Sequence, residues 1–331
     1  MPSVVISSDG AVKPDHPCVG ILRDAGFEPR VLADKRHALG LGTDEEKIEH
    51  FKGAVATLAW GERYTKRVLS SLPELRVVSR MGVGFDRVDI EAATANGKVI
   101  TISPTANHEA VAEHALALVF ALAKDIVPGD KGVRAGGWPN HPRRHLRGQT
   151  MGILGLGRIG RSLAVRAQAM LMKVIATEPY PDRAFVEEHG IELVDLDTLL
   201  ARSDFVSVHL PLSDETRGII NKQALAKMKP DASIVNTARG GLIVEADLVE
   251  ALSSGRLGGA GLDVFETEPT QPNNPLFELD NVIHCPHIAG QDYQAMLDMG
   301  TEAAENIVKL FRGEWPDAAV VNKELKGKWQ W

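Results

Sequence analysis

Four residues with acid–base or charge chemistry stand just past short apolar runs in the C-terminal half of this 331-residue sequence. Arg239 follows a run ending at Asn236, Asp263 closes the run 259–262, and His287 follows a run ending near Cys285. Glu268 lies five residues beyond Asp263, inside Glu266-Thr267-Glu268-Pro269. Adding hydride to a carbonyl beside a carboxylate requires a cation for the carboxylate and a proton donor for the carbonyl oxygen. It also requires an acid to orient an imidazole. Singly, each residue has an ordinary alternative: Arg239 on the surface, Glu268 as a solvated turn acid, His287 as a satisfied histidine. Their convergence on one edge of a sheet is what favours chemistry.

A second motif lies upstream. Gly155-Leu156-Gly157-Arg158-Ile159-Gly160 follows the apolar run 151–154 and opens a helical pattern. The first glycine allows a tight turn, the second lets a pyrophosphate approach the backbone, and the third lets helix pack on strand. The phosphates would meet the helix N-terminus, where N–H groups and the dipole favour anions. Glu178, 18 residues past the last glycine, ends the next run and can accept from ribose hydroxyls. A methyltransferase also places an acid there, so this motif alone leaves the cofactor open.

These residues need strands that end on one edge. Runs at 4–7, 54–58, 77–80 and 99–102 alternate with helical patterns, and a second series follows at 151–154, 174–176, 205–208, 233–236, 259–262 and 282–285. Such alternation predicts parallel sheets covered by helices on both faces. Two series of this length predict two doubly wound α/β domains. Asn107 is expected to cap a long helix to about Lys124, and another helix is expected from about Gln291 to Phe311. The second domain, 104–289, is thus expected as an insertion in a first domain made of 1–103 and 290–331, with two hinges facing one cleft.

Composition narrows the class. Hydrophobic residues make up 44% and charged residues 24%, as in a globular protein with substantial cores. A formal charge of -7 supplies no basic field for nucleic acid. Cys18 and Cys285 form no CxxC pair, which predicts a reducing cytoplasm. No signal peptide is expected at the start, and the longest apolar stretch, 115–123, is too short for a membrane span. No metal site is expected. His141 and His145 sit in an irregular Pro-containing stretch without a nearby carboxylate, and no second ligand can be named for His284. Cys285 is expected to be structural. Arg143, Arg144 and Arg147 read as a solvated basic loop.

With these segments in view, the chain resembles the D-isomer-specific 2-hydroxyacid dehydrogenases over nearly its whole length. The matching segments are Gly82-Val83-Gly84-Phe85-Asp86, Val111-Ala112-Glu113-His114, the glycine hexapeptide and His209-Leu210-Pro211-Leu212. Residues 236–241, 263–269 and Pro286-His287-Ile288-Ala289-Gly290 complete the ordered set. The resemblance implies a Rossmann NAD-binding domain inserted into a flavodoxin-like substrate domain. It implies that Arg239 grips the substrate carboxylate and carbonyl oxygen, that His287 is the acid/base, and that Glu268 holds His287. Asp263 would contact the nicotinamide carboxamide. Arg158, Ile159, Glu178, Leu210, Thr237 and Gly290 would line NAD with the three glycines. Arg80, Met81, Gly82, Val83 and Gly84 would meet the substrate, a small 2-oxo or 2-hydroxy acid, and the family points to a homodimer whose arm includes the 143–147 cluster.

Two rivals share the fold: a nucleotide-sensing corepressor scaffold, expected to carry disordered tails or a peptide-binding extension, and a phosphite or phosphonate oxidiser, expected to carry Lys near Val83. Phosphoglycerate-type members fit the stretch Arg80-Met81-Gly82-Val83-Gly84. However, the Arg-Ser they tend to use after the third strand is replaced by Ala59-Trp60, and no regulatory domain is expected after the tail.

Overall fold

The computed structural model describes residues 1–7 and 12–331. They form two compact units, Met1–Asn107 with Gln291–Trp331, and His108–Gly290.

The first unit carries a parallel sheet of β1 (Ser3–Ile6), β2 (Glu28–Val31), β3 (Ala54–Ala59), β4 (Val77–Arg80) and β5 (Val99–Thr101). Their order is β2-β1-β3-β4-β5, the flavodoxin-like arrangement. The helix Tyr293–Phe311 packs in this unit; Asp292 caps it by accepting from Ala295 N. Buried hydroxyls tie helix to sheet: Ser79 Oγ donates to the Ala303 carbonyl, and Ser103 Oγ to those of Arg80 and Met299.

The second unit holds β6 (Thr150–Leu154), β7 (Lys173–Thr177), β8 (Glu192–Leu193), β9 (Phe205–Val208), β10 (Ser233–Asn236), β11 (Gly259–Leu262) and β12 (Val282–His284). Their parallel order is β12-β11-β10-β9-β6-β7-β8, the Rossmann order with one further strand. β9, β10 and β11 are buried at every position, so they read as apolar runs without polar alternation. The period of two still sorts their side chains by face. Met151, Ile153 and Phe205 join Ala115, Val119 and Leu163 of the helices His108–Lys124 and Arg158–Ala169. Leu154, Val206 and Val208 point the other way, into a cluster with Leu199, Leu225 and Leu248.

β2 and β8 were not expected from the sequence. Both are edge strands, and Glu28-Pro29-Arg30-Val31 carries little apolar signal because most of it is exposed. The helix expected from Asn107 runs His108–Lys124, but the Asn107 Oδ1 accepts no hydrogen bond, so the expected side-chain cap is not made. No helix among the described residues is long and apolar enough to cross a membrane.

Candidate active site

Every candidate of the second unit sits at the carboxyl end of a parallel strand, where ligands collect in open α/β sheets. The turn after β6 is built by its glycines. Gly155 has φ +100°, and a Cβ there would stand 2.9 Å from the His209 carbonyl carbon. A Cβ on Gly160 would fall 2.1 Å from the Gly155 oxygen, so the helix must start hard against the turn. Gly157 is different: beyond its own chain neighbours, no atom of the described residues lies within 4 Å of the place its Cβ would take. That open approach, at a helix start capped by no side chain, fits a pyrophosphate. Arg158 and Ile159 begin the helix. Glu178, after β7, accepts from Leu156 N at 2.9 Å and from Tyr180 N at 3.0 Å, so it ties the turn to the next strand end. Thr237, after β10, is buried, and its Oγ1 has no hydrogen-bond partner among the described residues. Such an enclosed hydroxyl is a polar group left for a ligand. Leu210 and Gly290 are partly exposed at the same edge.

His287 and Glu268, expected as an acid–base pair, are in contact. His287 Nδ1 lies 2.7 Å from Glu268 Oε2. The second Glu268 oxygen accepts from Phe265 N at 3.1 Å, which fixes the carboxylate. The imidazole is 45% exposed while Glu268 is 18% exposed, so the ring stands on a more buried support. The peptide bond Glu268–Pro269 is cis. His287 has φ +57°, a left-handed conformation that costs a non-glycine residue of order 1 kcal/mol.

Asp263 explains how that conformation is held. Its carbonyl accepts from His287 N at 2.8 Å, and its carboxylate oxygens accept from Ile288 N and Ala289 N at 2.9 and 2.8 Å. Asp263 has 0% exposure, and these three bonds make it the anchor of the His287 loop. His114 Nε2 lies 3.7 Å from Asp263 Oδ1, buried and without a hydrogen-bond partner among the described residues. No role was assigned to His114 from the sequence; its only signal was the quoted Val-Ala-Glu-His stretch. His114, Asp263 and Cys285 bring potential metal-ligand atoms within 4.8 Å of one another. Asp263 is already committed to two amides, and burial pushes the Cys285 thiol up, further raised by Asp263, so we read the group as a polar support beneath the His287 loop.

Arg239 follows β10, half-buried, with Nη1 donating to the Ala238 carbonyl. Asn236 steadies this corner by donating to the Arg239 carbonyl and accepting from Ala238 N.

In the first unit, the turn after β4 begins with two buried residues. Arg80 was expected to meet the substrate. It is 8% exposed, and its Nε donates to the Gly84 carbonyl at 3.0 Å, so it lies beneath the turn as a brace. Met81 is also buried, whereas Gly82, Val83 and Gly84 are partly exposed. Among the described residues, the N–H groups of Gly82, Val83 and Gly84 find no acceptor in the protein.

The basic loop needs correction. Arg144 is not solvated: it donates to the carbonyls of Asp231 and Asp204 and stacks 4.3 Å from the Phe205 ring centre. Arg143 pairs with Asp125 at 3.1 Å, while Arg147 is exposed. His141 does have a carboxylate neighbour, Asp125, at 3.3 Å. His284 packs among Phe265 and Phe277.

Comparison with known proteins agrees with this geometry. Residues 116–289 match the model of the D-isomer specific 2-hydroxyacid dehydrogenase NAD binding domain. A D-3-phosphoglycerate dehydrogenase of Mycobacterium leprae is 46% identical over 266 residues, covering 78% of this chain and 50% of that protein. The chain thus spans about half the length of the curated phosphoglycerate dehydrogenases it matches. A glyoxylate reductase of Thermofilum pendens is 42% identical over 272 residues, covering 80% of each. The solved TT0316 protein of Thermus thermophilus has TM-score 0.85 and 33% identity over 96% of this chain and 100% of that one. The chain belongs to the D-isomer specific 2-hydroxyacid dehydrogenase family.

Proposed function

We propose that this family member moves a hydride between NAD and C2 of a small 2-oxo or 2-hydroxy acid. The observation that carries the reading is the 2.7 Å His287–Glu268 pair on the sheet edge that also bears Arg239 and the open Gly157 turn. Bound NAD(H) would supply the hydride; the chain's residues do the rest. The imidazole delivers the proton that the carbonyl oxygen needs on reduction, and accepts it on oxidation. Glu268 orients the ring and stabilises it when charged. The guanidinium of Arg239 offers the planar donor fork that suits a carboxylate.

The turn 81–84 is a second anion contact in this reading, supported by the N–H groups of Gly82, Val83 and Gly84, which find no acceptor among the described residues. A free carboxylate on a short acid suits it better than a phosphorylated substrate, because Ala59-Trp60 stand where the resemblance expects Arg-Ser and Arg144 is already pinned. Exposed Ile126, Val133 and Trp138 support a homodimer, since such apolar side chains gain by being covered. Two free cysteines support a reducing, cytoplasmic setting.

The test is NADH oxidation against a panel containing glyoxylate, hydroxypyruvate, its 3-phosphate and pyruvate. We expect turnover of unphosphorylated acids, without a large advantage for the phosphorylated one. No turnover of any 2-oxo acid by protein that binds NADH would favour the sensing-scaffold alternative.

A further inference from the structure

One helix of the second unit carries a polar residue on the face that it packs against the sheet. In the helix His108–Lys124, Val111, Ala115 and Leu118 are buried, and His114 shares their stripe at spacings of one, three and four. The helix lies close on β11 because that strand is glycine at two positions. A Cβ on Gly259 would stand 3.2 Å from Leu122 Cδ2, and one on Gly261 would stand 3.0 Å from Leu118 Cβ. Four residues back along the helix, about 6 Å, match two residues onward in the strand, about 6.6 Å. The next step of that ladder sets His114 opposite Asp263, and its Nε2 does lie 3.7 Å from Asp263 Oδ1. The leucine–glycine contacts thus deliver the imidazole to the carboxylate.

His114 Nε2 is enclosed and has no hydrogen-bond partner among the described residues. At 3.7 Å its contact with Asp263 is electrostatic attraction across a gap, longer than a hydrogen bond. A proton on Nε2 is favoured there, because a bare lone pair would face the carboxylate. Asp263 is wholly buried, where a carboxylate is costly to hold and any compensating charge or dipole acts more strongly. Ile288 N and Ala289 N compensate it from the loop, and His114 does so from the helix. Cys285, the third polar group of this cluster, brings no charge, since burial and Asp263 keep its thiol protonated.

We propose that His114 is a positioning residue for proton transfer: it holds the Asp263 carboxylate from the helix, and through Asp263 it keeps the loop 287–289 in the conformation that presents His287. The inference rests on the reading of His287 as the proton donor. No step of the reaction passes through His114 itself. Its loss loosens the loop and lowers kcat, while the grip on the dinucleotide supplied by the glycine turn 155–160 stays comparatively intact.

The experiment compares His114→Phe, His114→Leu and His114→Gln with the natural chain. Measurements are hydrogen exchange of the Ile288 and Ala289 amides, resolved by NMR and referred to the amides of β9, together with kcat for glyoxylate and NADH affinity. His114→Phe keeps a ring without a donor and His114→Leu removes both, so one serves should the other fail to fold. His114→Gln places an N–H donor at about the reach of Nε2. In His114→Phe and His114→Leu, exchange at 288 and 289 is expected to speed about tenfold while β9 stays within about threefold. Their kcat should fall about tenfold with NADH affinity within about threefold, and His114→Gln should recover most of both effects. A merely structural role would quicken exchange in β9 as much as in the loop and so overturn the inference. Unchanged exchange at 288 and 289 also overturns it, as does faster exchange with unchanged kcat, or His114→Gln as impaired as His114→Phe. In each of these cases turnover by the natural chain leaves the proposed reaction in place. If the natural chain turns over no 2-oxo acid while His114→Phe and His114→Leu speed exchange selectively, the reaction falls and the anchoring of the loop stands. Absence of turnover together with unchanged exchange overturns both.

Discussion

The two units end their parallel sheets in different ways. The edge of the second unit is dressed with side chains: Arg239, Glu268 and His287, each steadied by a backbone or carboxylate partner. The edge of the first unit offers backbone N–H groups at 82–84 and keeps its charges, Glu62 and Arg80, inside. The difference is chemical. A group that must gain and lose a proton has to be a titratable side chain with an exposed face. A contact that only holds an anion can be peptide, which carries no rotamer freedom to lose. Burying charge beneath that peptide stiffens it without exposing a second titrating group to the ligand.

The sharpest way to break this contrast is to remove the titrating group. His287→Ala is expected to lower kcat by about 10³-fold, within the range general acid–base catalysis contributes. NADH affinity should stay within a few-fold, because the glycine turn and Glu178 lie on other strand ends. Stability should fall only slightly, because Asp263 still holds the left-handed backbone, which alanine adopts at a cost similar to that of histidine. Single-turnover rates and fluorescence titration of NADH measure the two parts. A variant retaining a tenth of wild-type kcat would show that His287 is not the proton donor.

Next in size is an acid effect at the same edge. Part of His209 reaches the surface, but its ring nitrogens face inward: Nε2 bonds Ser207 Oγ at 2.8 Å and Nδ1 is enclosed. Burial lowers its pKa to about 4 from an ordinary 6.5. Between those values the unfolded chain binds the proton and the folded chain does not. Stability from this group is therefore complete above pH about 6.5 and is lost as pH falls towards 4, by up to about 3 kcal/mol. His16, His37 and His284 are also lowered by burial and add to the same slope, so the readout must be a difference. Urea midpoints of the natural chain and His209→Gln, measured from pH 7 to 4.5, should converge as pH falls. Parallel curves would mean that His209 is not kept neutral by the fold.

How far the sequence reveals this follows from what each feature depends on. Strands such as 205–208 and 233–236 were legible because burial on both faces leaves an apolar run. The edge strands β2 and β8 were not, because exposure removes that signal. His287, Glu268 and Arg239 could be placed by counting past strand ends, a rule of topology. Their local supports could not. That Asp263 would turn inward to grip Ile288 and Ala289 depends on the path of the loop. That Arg80 would point beneath its turn depends on the path of that turn, which brings the Gly84 carbonyl back to its Nε. Arg144 shows the same limit: a basic cluster reads as solvated until an aromatic ring and several carbonyls surround one member.

The smallest expected effect probes a residue that joins both kinds of edge. Glu178 is a charged side chain at a strand end, yet it also shapes peptide, through Leu156 N and Tyr180 N. Each carboxylate oxygen keeps a further lone pair, which suits ribose hydroxyls. A 2′-phosphate in their place would meet this negative charge at close range. The neighbouring cation Arg161 is already paired with Asp182 at 2.5 Å and lies over Phe185, so this arginine is engaged away from the ribose position. NADH should therefore be preferred to NADPH. Two variants separate charge from shape. Glu178→Gln keeps an acceptor for one amide and removes the charge, so the NADPH-to-NADH ratio of kcat/KM should rise about tenfold, with NADH efficiency falling only a few-fold. Glu178→Ala removes both amide anchors as well, so efficiency with both cofactors should fall while their ratio shifts by a similar factor. The measurement is kcat/KM for each cofactor with one saturating 2-oxo acid. A ratio unmoved in Glu178→Gln, beside a loss for both cofactors in Glu178→Ala, would leave Glu178 as a brace for the glycine turn and move cofactor selection elsewhere.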